Sequence, residues 1–218
     1  MGMVSYTHPF LIGDRIMKII VTGFEPFGNE TVNPSWEAVK ALPDVAAGVE
    51  LVKLELPVVY DTCGFLIGQA IAAHEPAAVM LVGQAGGRSC ITPEFVAINQ
   101  RDGIADNSGK AYSGTKIADN GPDAFFSTLP VRKMVERMNE AGIPAKISYT
   151  AGTYVCNNLM YEALRLTEKT ETICGFVHIP FSSEQAAAHG GSYPSMETAL
   201  CTRGLMKCLE VIIEQIRA

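Results

Sequence analysis

The sequence predicts an α/β fold: a single-domain α/β/α sandwich around a mostly parallel, twisted central sheet. Three observations carry that prediction. Short apolar, β-branched runs alternate with helical patterns along the whole chain, which is the order of a sheet covered by helices on both faces. The run Ala77–Val82 is apolar without interruption, as in a parallel strand buried on both sides. Several of these runs end at glycine or at a polar residue, and in such sheets ligands bind beyond the carboxyl ends of the strands.

The elements follow in order. Lys18–Thr22 is a buried strand that ends at Gly23. After the loop Gly23-Phe-Glu-Pro-Phe-Gly28, Asn33 caps a helix that has Pro34 in its first position and runs to about Leu42. Leu51–Leu56 alternates apolar and charged residues, as a half-exposed strand does. A helix spans Asp61 to about His74 and stops before Pro76, and Ala77–Val82 is the central strand. Gln84–Pro93 is a glycine-rich loop, Glu94–Asn99 is strand-like, and the polar stretch 100–121 is an ordered excursion with weak hairpin character. Val131, Met134, Val135 and Met138 mark a helix that ends before Gly142. Ala145–Tyr149 reads as a strand, Tyr154-Val155-Cys156 as the passage into a helix from about Asn157, and Ile173–Ile179 as a strand. The last helix runs from near Ser195 to Arg217, with Leu205, Leu209, Ile212, Ile213 and Ile216 on one face. Residues 1–16 lack this patterning and are read as an N-terminal extension outside the fold, which leaves 17–218 as one domain.

Composition narrows the function. With 48% hydrophobic and 18% charged residues among 218, the chain does not have the composition of a disordered protein. Its net charge of −6 and the lack of any Lys/Arg cluster argue against nucleic acid as a partner. No run approaches the ~20 apolar residues of a membrane span, and the first residues lack a signal-peptide cleavage pattern. The six cysteines include no Cys-x-x-Cys and no Cys/His pair at zinc spacing. Reduced thiols, no metal and a cytoplasmic location are the expectation.

Cys156 is the foremost candidate nucleophile. It stands where a strand is expected to give way to a helix, and the free N–H groups of a helix N-terminus lower a thiol's pKa and can hold an oxyanion. A buried structural cysteine is the competing reading, and it is the one adopted for Cys63, Cys174, Cys201 and Cys208. Of four histidines, His178 closes a buried strand and is the candidate base, against the plainer reading of a satisfied core histidine. Glu94 is the candidate third group to orient the imidazole, with Asp102 and Asp106 as alternatives. The stretch Gly83-Gln-Ala-Gly-Gly-Arg88 matches no phosphate-binding pattern.

Four blocks, taken together, resemble the type I pyroglutamyl peptidases (pyrrolidone-carboxylate peptidases). They are Gly23-Phe-Glu-Pro-Phe-Gly28, Gly83–Arg88 with Ile91-Thr-Pro-Glu94, Gly152-Thr-Tyr-Val-Cys-Asn157, and Gly175-Phe-Val-His-Ile-Pro180. The resemblance implies a phosphorylase/hydrolase-like sandwich and a cytoplasmic cysteine exopeptidase that removes N-terminal pyroglutamate from peptides. It also implies no cofactor or metal, and a homotetramer. Cys156 then matches the nucleophile, His178 the general base and Glu94 the acid. Phe24 and Phe27 match the residues that hold the lactam ring, Gln84 a backbone partner of the lactam, and Ile104, Tyr154 and Val155 the remaining wall.

Three positions depart from the family pattern. Phe95 stands where an arginine is usual, the stretch 99–104 is one residue short around Arg101, and Cys90 adds a thiol near Glu94. They motivate one rival reading, a catalytically impaired homologue that binds pyroglutamyl peptides. A nucleoside-phosphorylase-like enzyme is the other, motivated by related α/β/α architectures that host it, with Arg88 as the one candidate phosphate ligand.

Overall fold

The computed structural model describes residues 11–12 and 15–218. Strands β1 (Leu11–Ile12) and β2 (Arg15–Ile16) pair antiparallel with each other in a sheet of their own. The rest of the expected extension lies outside the described residues. Next along the chain come β3 (Lys18–Phe24), α1 (Pro34–Lys40), β4 (Val45–Ala46), β5 (Val49–Leu56), α2 (Tyr60–His74) and β6 (Ala78–Gln84). Then follow β7 (Thr92–Pro93), β8 (Val96–Ile98), β9 (Arg101–Gly103), β10 (Tyr112–Thr115), β11 (Ala124–Phe126) and α3 (Val131–Glu140). The chain closes with α4 (Val155–Thr167), β12 (Ile173–Ile179), α5 (Ser183–Ala188) and α6 (Thr198–Ile216).

The main sheet has the order β4-β5-β3-β6-β12-β7. Its four long strands are parallel, and the two-residue edge strands β4 and β7 run antiparallel to their neighbours. Because side chains alternate across a strand, each long strand feeds two cores. Ile19 and Val21, Met80 and Val82, and Val177 and Ile179 face the layer of α1, α3 and α6, where Ala38, Met134, Met138, Leu205 and Leu209 meet them. Ile20, Val79, Leu81, Cys174 and Phe176 face α2 and α4, against Cys63, Ile67, Leu159 and Met160. β6 is buried along its whole length between β3 and β12, as its unbroken apolar run predicts.

The long elements agree with the sequence reading, and so does the hairpin of β9 and β10 inside the polar excursion. Four local expectations are corrected. Residues 145–149 form no continuous strand and contribute single bridges, Ala145 to Ile91 and Ser148 to Glu94; their backbone bonds go to Ile91, Pro93 and Phe95, beside a β7 too short to carry a longer ladder. The strand expected over 94–99 shortens to β8, while β7 lies at the end of the stretch expected as a glycine-rich loop. Helix α6 starts at Thr198 rather than near Ser195, because Ser195 bridges to Phe181 instead. Helix α5 was not expected, although Ser182 and Gln185 form a reciprocal capping box that could be read in the sequence.

Leu209 on α6 is fully buried in the first core. Replacing it by alanine is expected to lower unfolding stability by about 2–5 kcal/mol, measured by urea denaturation. A loss below ~0.5 kcal/mol, typical of surface sites, would contradict the packing described here.

Candidate active site

Helix α4 opens at Val155, with Tyr154 as an N-cap that makes no side-chain capping bond. Cys156 is therefore in the first turn, where backbone N–H groups have no intrahelical partner. No strand precedes it, contrary to expectation: it reaches the sheet from a loop and a helix end. Two buried asparagines tie this turn down. Asn157 accepts from the Ile98 N–H at 2.9 Å and donates to the carbonyls of Ile98 and Gln100 at 2.9 and 3.0 Å. Asn158 donates to the Tyr60 carbonyl at 2.8 Å and accepts from Arg101 Nε at 2.6 Å. Arg101 also donates to the Tyr112 hydroxyl at 3.0 Å and pairs with Asp61 at 3.0 Å. It thus buttresses the helix start from behind, despite the shortened stretch around it.

β12 brings His178 to the same place. Cys174, Phe176 and His178 share one face by alternation, and the first two lie in the core beneath α4. In register, His178 pairs with Gly83 of β6. A Cβ at Gly83 would stand 2.7 Å from the Phe176 ring and 3.1 Å from Cys156 Sγ, so the absence of a side chain there makes room for the thiol. On the other flank β7 runs antiparallel, with Thr92 opposite His178 and Pro93 opposite Val177. Pro93 suits such an edge strand, which needs no donor on its outer side. Glu94 follows, its N–H donating to the Phe176 carbonyl at 2.8 Å, and Glu94 Oε1 meets His178 Nδ1 at 2.6 Å. Both residues are buried, at 0% and 3% exposure.

Arg88, considered in the sequence only as a phosphate ligand, reaches the same Glu94 oxygen at 2.6 Å. It also donates to the Thr92 hydroxyl and to the Thr150 carbonyl at 3.3 Å. Burial raises the Glu94 carboxyl, but the bonds from His178, with Arg88 nearby, overcome this and hold it below its ordinary value. An ionised carboxylate only accepts, so His178 carries its proton on Nδ1 and leaves Nε2 free to accept one. Burial also lowers the His178 pKa, against the opposing pull of Glu94, which favours the neutral ring. Asp102 and Asp106, the alternative orienting groups, are engaged elsewhere. Asp106 accepts from the backbone of Tyr60, Ser108 and Lys110, and the Asp102 backbone is tied to Thr153.

The thiol departs from expectation. Burial pushes Cys156 up to about 12, with Cys63 and Glu94 adding to the effect and Arg88 and its own backbone N–H opposing it. Desolvation thus outweighs the helix terminus in the direction of the shift, although the Cys156 side chain is half-buried and lines the cleft.

A narrow cleft runs from Cys156 between Phe24, Phe27, Gln84, Tyr154 and Val155, five of the six residues expected to form the substrate wall. Ile104 does not join them: it is 71% exposed just beyond β9, whose Gly103 is the residue that packs on the Tyr154 ring. Asn33 and Val58 complete the lining without having been anticipated. Asn33 was legible as a helix cap, and its Oδ1 does accept from Ser35. Its place in the cleft depends on the bond from its Nδ2 to the Glu25 carbonyl at 2.9 Å. Roomier depressions exist, one between Met17 and Ile216 and another between Asp61 and Arg165, but neither contains Cys156, His178 or Glu94. Cys90 is buried and does not line the Cys156 cleft. Phe95 packs against Phe126 and Tyr149, with ring centroids 5.5 and 5.6 Å away, while Glu94 beside it is bonded to His178 and Arg88.

A sequence profile described as Pyroglutamyl peptidase matches residues 17–215. A pyrrolidone-carboxylate peptidase of Levilactobacillus brevis is 47% identical over 90% of this chain and 98% of its own. One of Thermococcus onnurineus is 46% identical over 91% and 98%. Among solved structures, pyroglutamyl peptidase I of Bacillus amyloliquefaciens superposes with a TM-score of 0.87 at 39% identity, covering 92% of this chain and 98% of that one. A mutant pyrrolidone carboxyl peptidase of Pyrococcus furiosus does so with a TM-score of 0.88 at 35% identity, covering 92% and 100%.

The resting protonation state can be measured directly. Alkylation of Cys156 by iodoacetamide is expected to accelerate steadily with pH through the alkaline range, because burial raises the thiol's pKa. A rate plateau near neutral pH would instead reveal a preformed thiolate–imidazolium pair.

Proposed function

The chain belongs to the pyroglutamyl peptidase family, and from that premise we propose that it is a cysteine exopeptidase that hydrolyses N-terminal pyroglutamate from peptides through a thiol acyl-enzyme. The observation that carries this reading is Cys156 in an apolar cleft walled by two phenylalanines, against Gly83, whose strand partner is the Glu94-bonded His178. Pyroglutamate has no free amine, so its site needs no carboxylate for an ammonium. It needs an apolar slot with a few polar partners, and Phe24 and Phe27 with Gln84 and Asn33 supply that type of surface.

The steps follow from the protonation states. His178 Nε2 takes the proton of the Cys156 thiol as sulfur attacks the pyroglutamyl carbonyl. Negative charge moves to the carbonyl oxygen, toward the free N–H groups of the first turn of α4. Collapse breaks the C–N bond, and His178 gives its proton to the leaving amine. Water then attacks the thioester, passing a proton to His178 and from there back to sulfur. Glu94 holds the imidazole tautomer and stabilises its charged form, and Arg88 acts as a positioning residue on Glu94. Every step uses side chains of this chain, so no cofactor or metal is invoked, and a reductant is needed only to keep the thiol.

The impaired-homologue reading loses its main motive, because Phe95 is part of an aromatic cluster with Phe126 and Tyr149. The phosphorylase reading loses Arg88, which is committed to Glu94. Among the described residues no helix is long and apolar enough to cross a membrane. A cytoplasmic homotetramer is the further proposal that the family resemblance supports, and sedimentation equilibrium tests its assembly state.

Release of a fluorescent amine from a pyroglutamyl amide, in reducing buffer, is expected for the wild type and for Cys90→Ser but not for Cys156→Ser. Loss only in Cys90→Ser would overturn the assignment of the nucleophile. His178→Ala should cost about 10²–10⁴-fold in kcat, the usual worth of a general acid–base group. Arg88→Met should lower kcat by about 10- to 100-fold with KM little changed, as loss of one charge-assisted bond would.

The pH dependence has a definite sign. A protonated His178 cannot accept the thiol proton, so kcat/KM falls as pH drops through its pKa. Since burial lowers that pKa, the acid limb should lie below the ordinary histidine value of ~6.5. A limb above neutrality would contradict the assignment.

A further inference from the structure

A second depression adjoins the reactive cleft, with Phe27, Glu30, Gln84, Phe181, His189 and Tyr193 in its lining. Phe27 and Gln84 belong to both, so the two form one groove with a waist between these side chains. The depressions elsewhere, reaching from Met17 to Ile216, from Asp61 to Arg165 and from Phe125 to Thr172, share no residue with the Cys156 cleft. Resting on the peptidase reading above, we propose that this second depression is the leaving-side subsite, which receives the residue after pyroglutamate and favours an aromatic side chain over an acidic one.

Reach supports the assignment. Consecutive Cα atoms are only 3.8 Å apart, so the residue beyond the scissile bond must occupy space continuous with the cleft that holds the lactam.

The chemistry of the walls sets the preference. Phe181, His189 and Tyr193 form a three-ring cluster, with centroids 5.5 Å apart for Phe181–His189 and 5.6 Å for each ring against Tyr193. The floor is rigid, since the Phe181 ring lies directly on the backbone of Gly86, where a Cβ would stand 2.4 Å from it. Tyr193 remains 49% exposed, and so presents a ring face or edge to an incoming aromatic group. Glu30 supplies the discrimination. One of its oxygens meets His189 Nε2 at 2.6 Å, and the other accepts from Gln185 at 2.9 Å. Burial raises its carboxyl, but these bonds bring it below its ordinary value, so it is ionised at neutral pH and repels a second carboxylate. Gln185 also donates to Gln84 Oε1 at 3.1 Å, which ties this charged wall to the waist.

The test compares kcat/KM for the amides of pyroglutamyl-phenylalanine, pyroglutamyl-alanine and pyroglutamyl-aspartate with wild type, Tyr193→Ala and Tyr193→Phe. The phenylalanyl substrate should exceed the alanyl one by about tenfold, chiefly through KM, which is the order that partial burial of a phenyl ring gives. The aspartyl substrate should be slowest. Tyr193→Ala should bring the phenylalanyl-to-alanyl ratio toward one, and Tyr193→Phe should keep it. Equal rates on all three substrates, or a ratio unchanged in Tyr193→Ala, would overturn the subsite while leaving the peptidase intact. Failure to cleave any of the three would overturn the peptidase reading, and the subsite with it.

Discussion

The register of β12 between its two neighbours is the constraint on which the site depends. Strand side chains alternate with a period of two, so a slip of one residue would send His178 to the opposite face. In the observed register His178 stands opposite Gly83 on one side and Thr92 on the other. The first pairing sets the imidazole beside the one position where a missing side chain admits the thiol. The second sets Glu94 two residues beyond Thr92, on the same face and within a hydrogen bond of the ring. Seven consecutive parallel pairs with β6 and a buried Phe176 wedged under α4 make that register hard to change. The geometry of the proposed active site is therefore a by-product of core packing.

Burial both assembles the site and shapes its chemistry. It pushes the Cys156 thiol up and the His178 imidazole down, and both shifts favour the neutral form. Glu94 stays charged because His178 and Arg88 share one of its oxygens. A thiol and a neutral imidazole suit a mechanism in which the proton leaves sulfur as the new bond forms. The first turn of α4, left without a side-chain cap, keeps N–H groups free for the oxygen that becomes charged. The dipole expected to acidify the thiol is better suited to the oxyanion.

The loop after β3 links this centre to its surroundings. Phe24 packs toward Phe176, with centroids 6.4 Å apart, and Phe27 faces Tyr154, also at 6.4 Å, so the two rings brace opposite ends of one cleft. Glu25, between them, accepts from the Val58 backbone and from Asn107, tying the loop to the strand end beyond β5 and to the polar excursion. Phe27 also lines both depressions, so in the proposed reading a single short loop serves both sides of the scissile bond.

Much of this was legible in the sequence because it is local. Hydrophobic periodicity identifies the long strands and helices, Asn33-Pro34 starts α1, and the four motif blocks name Cys156, His178, Glu94 and five of the cleft residues. What failed depended on contacts between distant segments. Residues 145–149 carry strand-like composition but find only single bridges. Ile104, matched to the wall from a stretch that departs from the family pattern, is exposed and does not line the cleft, while Gly103 meets Tyr154. The thiol's pKa followed its burial rather than its helix position. Arg88 found Glu94 only once the glycine-rich loop had folded back beside β7. Residue type and spacing thus determined which elements form and which groups are reactive, since those depend on near neighbours in the chain. Only the tertiary structure decided which oxygen each donor reaches and how dry the thiol is, because these depend on strand register and on side chains far apart in sequence.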